Sequence, residues 1–294
     1  MSITNPHDLI FKQTESHLEN AKDYLRGTCP PELIKNLNLE KLKLEESSYT
    51  TEELSEYFSD LVYTCVYRGK TKIKITLLFE HKSFKPDYPM FKILQYMINI
   101  WETQLKGKQA LTPIIPILFY HGKEKWEPRK LNEYFTGIDE YLKTFIPGFD
   151  IIFTNITKVS DEQVRNKLFD REANKILFLL MRHIFDPGYM LDHLQDFLEI
   201  GRKYFESKEG IGFLKSILIY LFTTNEFESK MIFNILNKIS EKGEELAMTT
   251  AMQLKKEGKI EAAQKMLKKG YSIEEICDIT GLTATEVKKL KKKQ

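Results

Sequence analysis

The residues best suited to chemistry are Glu80 and Lys82, which follow the apolar segment 73–79. In an extended strand, residues two apart share a face, so the carboxylate of Glu80 and the ammonium of Lys82 would point together. Asp60 lies at the start of the preceding apolar segment, and a tight hairpin would bring it beside Glu80. Two carboxylates and one ammonium would then share a small site.

Carboxylate oxygens are the ligands that Mg²⁺ prefers in proteins. We therefore expect Asp60 and Glu80 to bind Mg²⁺, with Mn²⁺ or Ca²⁺ as alternatives. Such a cation activates water and neutralises charge that develops on a phosphodiester under attack. Lys82 would hold or deprotonate the attacking water. An alternative stays open, in which Asp60 caps an element and Glu80 and Lys82 form a solvated surface pair.

Hydrophobic periodicity predicts the elements that would position these residues. The order is helix, three strands, helix and strand, which is typical of an α/β sandwich. The second helix would bury Phe91, Leu94, Ile98 and either Trp101 or Leu105. The predicted helices are 7–26 and 89–105, and the predicted strands are 39–50, 61–68, 72–79, 113–120 and 149–155.

After about residue 158 the pattern becomes helical throughout. We predict three domains: a catalytic domain over 1–158, a helical region over 159–255 and a basic helical tail over 256–294. The helices predicted in this half before the tail are 164–185, 190–205, 212–222 and 227–254.

The tail is predicted to form two short helices around a turn at Gly281, as in a helix-turn-helix. Ser272 and Thr283 each precede a glutamate at capping-box spacing. A helix beginning at Thr283 would present lysines to DNA phosphates. An oligomerisation or stabilising role for the tail stays equally open. The lysines predicted to contact DNA are Lys288, Lys289, Lys291 and Lys292.

Secondary site candidates lie on the two helices of the first half. Asp8, Lys12 and Glu15 could face the metal, or they could form a helix cap and surface pairs. Gln95 and Tyr96 could reach substrate, or they could lie on the helix surface and in the core.

Composition limits the class of protein. The 294 residues include 42% hydrophobic residues, enough for a substantial core, and the net charge is only +2. The start of the chain lacks the features of a secretory signal, and no apolar run approaches the ~20 residues that span a bilayer. Three widely spaced cysteines suggest neither a disulfide framework nor a zinc site. We expect a soluble cytoplasmic protein without membrane contact.

The sequence resembles the Rpn family of recombination-promoting nucleases, also described as "YhgA-like putative transposases", within the PD-(D/E)XK nuclease superfamily. The resemblance covers roughly residues 5 to 290. It implies a restriction-endonuclease-like αβββαβ core, ahead of the all-α region that periodicity predicts, with Asp60 and Glu80 as metal ligands and Lys82 as the third active-site residue. The matching segments are HDLIFK at 7–12, SDL at 59–61, LFEHKS at 78–83 and PILFYHG at 116–122, followed by Trp126.

The favoured function is a Mg²⁺-dependent DNA endonuclease with little sequence preference, acting in recombination or genome defence. The alternatives are a DNA-binding transposition-accessory protein without significant turnover, and an interaction protein that does not bind nucleic acid. Cutting both strands of DNA would favour a homodimer with two sites.

Overall fold

The computed structural model describes residues 5–45, 58–80, 88–225, 227–240 and 242–291, with the backbone alone at 58–60 and 76–80. The fold is mixed α/β, with a five-stranded sheet in the first half and helices throughout the second. One compact unit is His7–Tyr204, and the other comprises the described residues up to Pro6 and from Phe205 onward. The three-domain division by function stays a prediction.

The sheet has the strand order β1-β2-β3-β4-β5. Strands β1, β2 and β3 pair antiparallel, whereas β4 runs parallel to both β3 and β5. The predicted order of helix, three strands, helix and strand is therefore confirmed as an order of elements. The strands are β1 Leu37–Leu44, β2 Phe58–Tyr67, β3 Thr71–Glu80, β4 Ile114–Tyr120 and β5 Ile152–Asn155.

The first predicted helix, 7–26, is wrong as a single element, because the chain breaks it at Ser16 and His17. Side chains near the break bond to backbone carbonyls that also accept backbone N–H groups: Ser16 Oγ donates to the carbonyl of Lys12, and Asn20 Nδ2 donates to that of Thr14. Short polar side chains compete with the helical backbone in this way. The resulting helices are α1 Pro6–Glu15, α2 Leu18–Thr28 and the shorter α3 Pro31–Asn36.

The remaining described helices are α4 Pro89–Lys106, α5 Glu140–Lys143, α6 Asp161–Gln163, α7 Glu172–His183, α8 Pro187–Glu199, α9 Lys208–Thr224, α10 Ser229–Ile239, α11 Gly243–Lys268, α12 Ile273–Thr280 and α13 Ala284–Lys291. Short 3₁₀ turns lie at Leu131–Tyr134, Ile156–Lys158 and Tyr204–Glu206, and Val164–Leu168 forms a π turn. Among these residues no helix combines the length and apolar character needed to cross a membrane.

The predicted helix 164–185 is wrong in its first third, and Asp23 of α2 explains why. The Asp23 carboxylate accepts the backbone N–H of Asp170 at 2.9 Å and that of Arg171 at 3.1 Å. These bonds cap the start of α7 from another element, so the chain leaves its π turn and begins a new helix there. The cap comes from 147 residues away, beyond the reach of a local sequence pattern. The predicted helix 227–254 likewise divides between α10 and α11.

Helix α4 connects the parallel strands β3 and β4 and covers one face of the sheet. Its buried stripe consists of Met90, Ile93, Tyr96, Met97 and Ile100, which pack with Val62 of β2 and Leu118 of β4.

The predicted stripe of α4 is therefore wrong by one helical position. Phe91 is 41% exposed and Leu105 is 61% exposed, while Leu94 and Trp101 are only partly buried against the core. Two adjacent apolar stripes run along this helix, so periodicity alone could not choose between them.

The opposite face of the sheet is covered by α1, α2 and α7. Phe119 of β4 stacks on Phe11 of α1 at 4.8 Å, and it meets Phe178 of α7 edge-on at 5.3 Å. Tyr24 of α2 completes this aromatic core. Helices thus cover both faces of the sheet within the first unit.

Glu15, at the end of α1, is a buried acid in this second layer. Its side chain is 0% exposed, and neither carboxyl oxygen has a hydrogen-bond partner in the described part of the chain. Burial raises the pKa of Glu15 well above its usual value, and the nearby Asp23 raises it further. Both effects favour the neutral, protonated form of the side chain in the folded protein.

This burial makes stability depend on pH, and we expect Glu15→Gln to reduce the dependence. As pH rises past 4.5, the unfolded chain loses the Glu15 proton while the folded chain retains it. The wild-type protein consequently loses stability as pH rises toward the folded-state pKa, and the variant does not. The difference in melting temperature, variant minus wild type, should therefore be a few degrees larger at pH 8 than at pH 5.

Glu19→Gln is the matched control. Glu19 is exposed, and a hydrogen bond from Lys22 lowers its pKa, so its titration lies below this pH range. Parallel pH profiles of stability for the wild-type protein and the Glu15 variant would contradict the raised pKa of Glu15.

Candidate active site

The candidate site is built on the β2–β3 hairpin. The strands pair continuously from Phe58 with Glu80 to Tyr67 with Thr71. Arg68 and Gly69 adopt positive φ angles of 46° and 72° in the turn. Positive φ at successive positions suits the right-handed twist of a tight hairpin.

The register corrects one detail of the predicted site. Glu80 pairs with Phe58, and Asp60 pairs with Leu78, so Asp60 and Glu80 lie two positions apart across the ladder rather than directly opposite. Diagonal neighbours of this kind have Cα atoms about 7–8 Å apart, within reach of side chains that share a ligand. Because residues two apart in a strand share a face, as do residues paired across the ladder, positions 60 and 80 belong to the same face of the sheet. We describe such positions as having the same parity.

Of the predicted active-site residues, Asp60 and Glu80 are described by their backbone, and Lys82 lies outside the described residues. Among the side chains that the structure does describe, no group of three His, Cys, Asp or Glu residues is arranged to hold a metal ion. The two carboxylates on neighbouring strands have the hard-oxygen chemistry that fits Mg²⁺.

Strand β4 delivers His121 to the same end of the sheet, because Tyr120 pairs with Glu80 in the parallel β3–β4 ladder. His121 is 1% exposed, and its Nε2 lies 2.6 Å from the carbonyl oxygen of Met181. A carbonyl only accepts, so Nε2 is assigned the proton. Burial lowers the pKa of His121 to about 3, and the neighbouring His7 contributes to this lowering. His121 is a neutral structural residue beside the site.

Gly122 follows β4 where the chain passes close to the ring of Tyr120. A Cβ atom at this position would lie 2.1 Å from the hydroxyl oxygen of Tyr120. That hydroxyl donates to the carbonyl of Glu124 at 3.1 Å, which fixes the ring across Gly122. Any side chain at position 122 would therefore collide with the Tyr120 ring.

The structure places the secondary candidates in an ion pair, in the core or on the surface of α4. Asp8 Oδ2 and Lys12 Nζ are 4.0 Å apart in an i,i+4 pair, as the surface-pair alternative predicted. Glu15 is buried in the α1–α2 layer, on the sheet face opposite α4. Gln95 is exposed on α4, whereas Tyr96 is fully buried in the core.

The C-terminal helices have the predicted caps. Ser272 and Glu275 form a reciprocal capping box at the start of α12, and Thr283 and Glu286 exchange the same bonds before α13. Gly281 lies in the left-handed region with φ 66°. Bonds from Thr283, with Lys256 nearby, lower the pKa of Glu286 to about 2.

The tail helices pack around a small apolar core with the end of α11. The buried residues of this core are Ala263, Ile276, Leu282 and Val287. Lys288, Lys289 and Lys291 are exposed on α13, and Lys292 lies outside the described residues. Two short helices joined at Gly281 are present as predicted, whereas a DNA-binding helix-turn-helix and DNA contact by these lysines stay predictions.

Sequence reasoning missed an exposed group of aromatic residues at the beginning of α4. Tyr88, Phe91 and Phe135 are 59%, 41% and 41% exposed, and the Phe91 ring contacts those of Tyr88, Tyr134 and Phe135. The cluster was missed because the predicted stripe of α4 placed Phe91 on the buried face.

Comparisons with known proteins identify the family. Two relatives from Escherichia coli (strain K12) are each 27% identical: "Inactive recombination-promoting nuclease-like protein RpnE", over 97% of both chains, and "Recombination-promoting nuclease RpnC", over 98% of this chain and 97% of the relative. "Recombination-promoting nuclease RpnA" from the same strain is 26% identical over 97% of this chain and 96% of its own. No solved structure matches the chain. The family model "Putative transposase, YhgA-like" matches residues 5–210, and the chain belongs to that family.

Proposed function

We propose that this protein is a metal-dependent nuclease that hydrolyses DNA phosphodiester bonds during recombination or genome defence. The observation that carries the proposal is the β2–β3 register, which leaves Asp60 and Glu80 two positions apart on adjacent strands. The names of RpnC and RpnA support nuclease activity, and RpnE, which is named inactive, makes a test on this chain's own residues necessary.

The element order supports a restriction-endonuclease-like core for the first unit. A helix, an antiparallel three-stranded meander, the α4 crossover and a parallel strand follow one another as that fold requires. In this proposal the active site lies where β2 begins and β3 ends.

In the proposed mechanism Asp60 and Glu80 hold Mg²⁺, with Mn²⁺ or Ca²⁺ as alternatives. The bound ion supplies Lewis-acid stabilisation of the charge that develops on the phosphate. As a neutral amine, Lys82 would orient the attacking water and accept its proton, and the ammonium so formed would then donate to the phosphoryl oxygens. His121 does not transfer protons, because burial holds its pKa near 3 and Nε2 is bonded to Met181.

The proposal includes several properties of the whole protein. Cleavage has little sequence preference, and a homodimer brings two sites to the two DNA strands. The three cysteines are free thiols, which suits a protein of the reducing cytoplasm. The alternative is a DNA-binding transposition-accessory protein that retains the fold without significant turnover.

Plasmid cleavage separates these two functions. With Mg²⁺, the wild-type protein should nick or linearise the plasmid, and EDTA should stop it. Asp60→Asn and Glu80→Gln should each lose at least about 100-fold in rate, because each removes charge that holds the cation. Their thermal unfolding should match that of the wild-type protein.

Asp192→Asn is the matched control, since Asp192 is an exposed carboxylate on α8. It should cleave at the wild-type rate. Cleavage retained by both site variants would refute the site, and DNA binding without any cleavage by the wild-type protein would favour the accessory function.

The C-terminal lysines provide a second DNA-binding surface in this proposal. Lys288, Lys289 and Lys291 are exposed on a capped helix, so their ammonium groups are available to phosphates. Replacing all three with Ala should make the dependence of log K on log salt less steep by about 0.9 for each phosphate that the tail no longer neutralises.

The charge-matched control replaces Lys35, Lys41 and Lys72, which are exposed on the first unit, with Ala. An unchanged salt dependence in the tail variant, or an equal change in the control, would exclude the tail as a DNA-binding surface.

A further inference from the structure

Four aromatic rings gather at the beginning of α4, and we call them the aromatic cluster: Tyr88, Phe91, Tyr134 and Phe135. Tyr88 and Tyr134 have centroids 5.2 Å apart, and Phe91 lies 5.7 Å from Tyr134 and 6.3 Å from Phe135. Three of the rings are at least 41% exposed. Large apolar rings grouped at a surface mark a binding site more often than scattered ones do.

The cluster rests on rigid elements. Phe91 is in the first turn of α4, whose neighbouring residues Met90 and Ile93 are buried in the core. Tyr134 packs against the same core and ends the 3₁₀ turn that begins at Leu131, itself 3% exposed. The exposed rings are therefore held in place before any ligand arrives, which lowers the entropy cost of binding.

The cluster lies near the proposed catalytic strands. Val62, two residues after Asp60, belongs to the same core as Met90 of α4. Tyr88 follows Glu80 by eight residues, a length of chain that spans at most about 28 Å. Positions 60 and 62 belong to the same face of β2, because residues two apart in a strand share a face. Since Val62 packs against α4, the cluster at the beginning of α4 is on that face of the sheet.

A cation accompanies the aromatic cluster. Arg129 is exposed and forms no ion pair with any described residue. Burial raises the pKa of the Tyr134 phenol, and the nearby Arg129 guanidinium opposes that rise while Glu133 adds to it. Lys130 lies next in the chain but is already paired with Asp150 at 3.6 Å. One available guanidinium beside several flat rings suits a ligand that has both planar faces and negative charge.

We propose that the aromatic cluster stacks unpaired bases of a DNA strand while Arg129 pairs with its backbone phosphate. Exposed bases stack on aromatic side chains, whereas the base faces of an intact duplex are covered by their neighbours. The inference rests on the proposed nuclease function and names its substrate class: DNA with a single-stranded stretch, such as a flap, gap or frayed end. The cluster positions that stretch so that the adjoining phosphodiester reaches Asp60 and Glu80.

Binding can be tested without cleavage. We would measure fluorescence anisotropy of labelled dT20, and of a 20-base-pair duplex, with the full chain in EDTA. The double variant Tyr88→Ala, Phe91→Ala should bind dT20 at least about 10-fold more weakly, because each stacked base contributes roughly 1–3 kcal/mol. Duplex binding should stay within about twofold. Replacing the same two residues with Trp should restore dT20 binding, since Trp retains a stacking face.

Ile98→Ala is the matched control, because Ile98 is on the same helix and is also 41% exposed. It should leave both affinities unchanged. The inference is overturned if the wild-type protein does not bind dT20, if the double variant weakens both DNAs equally, or if it changes neither. The last result would assign the cluster to another partner, such as a protein surface.

The EDTA assay distinguishes this inference from the proposed function. Loss of dT20 binding in the cluster variant, together with cleavage that survives Asp60→Asn, would refute the catalytic site and leave the base-binding surface standing. Cleavage that requires Asp60, with no role for the cluster in binding, would refute the inference alone.

Discussion

The antiparallel pairing of β2 with β3 is the constraint on which the rest of the first unit depends. The turn at Arg68 and Gly69 fixes its register. A slip of one residue would move every side chain of a strand to the other face. Val62 would then leave the core beneath α4, Tyr63 would lose its hydrogen bond to the Glu15 carbonyl, and Asp60 would no longer share parity with Glu80. Core packing and the candidate site are set by the same ladder.

Long-range polar contacts complete this unit. Asp23 caps α7 from α2, and Asn174 of α7 donates back to the carbonyl of Asn20. Such buried groups are costly unless every partner is present, so they select one arrangement of helices on the sheet. Consequently the sheet face covered by α1, α2 and α7 is occupied by packed helices. The proposed catalytic strand ends and the proposed base-binding cluster lie on the other face, under and beside α4.

The sequence was sufficient to predict the elements whose signals are local. Strand alternation predicted the hairpin, and the spacing of Ser272 to Glu275 predicted a capping box that the structure contains. It failed where the deciding partner is distant or where two local patterns compete. The break after α1, the cap by Asp23 and the choice of stripe on α4 belong to that group. At the site, the sequence supplied Asp60, Glu80 and Lys82 by type and spacing. It could not give the two-position offset of the register or the exposure of Phe91, because both depend on packing.

The proposed function requires the carboxylates of Asp60 and Glu80 to hold one divalent cation. Anomalous diffraction from crystals of the full chain grown with Mn²⁺ tests it most directly, since the ion is then located independently of any activity. We expect a single strong peak within coordination distance of both carboxylates, absent from Asp60→Asn crystals. An ordered β2–β3 strand end with no peak at these residues, or the same peak in the variant, would contradict it.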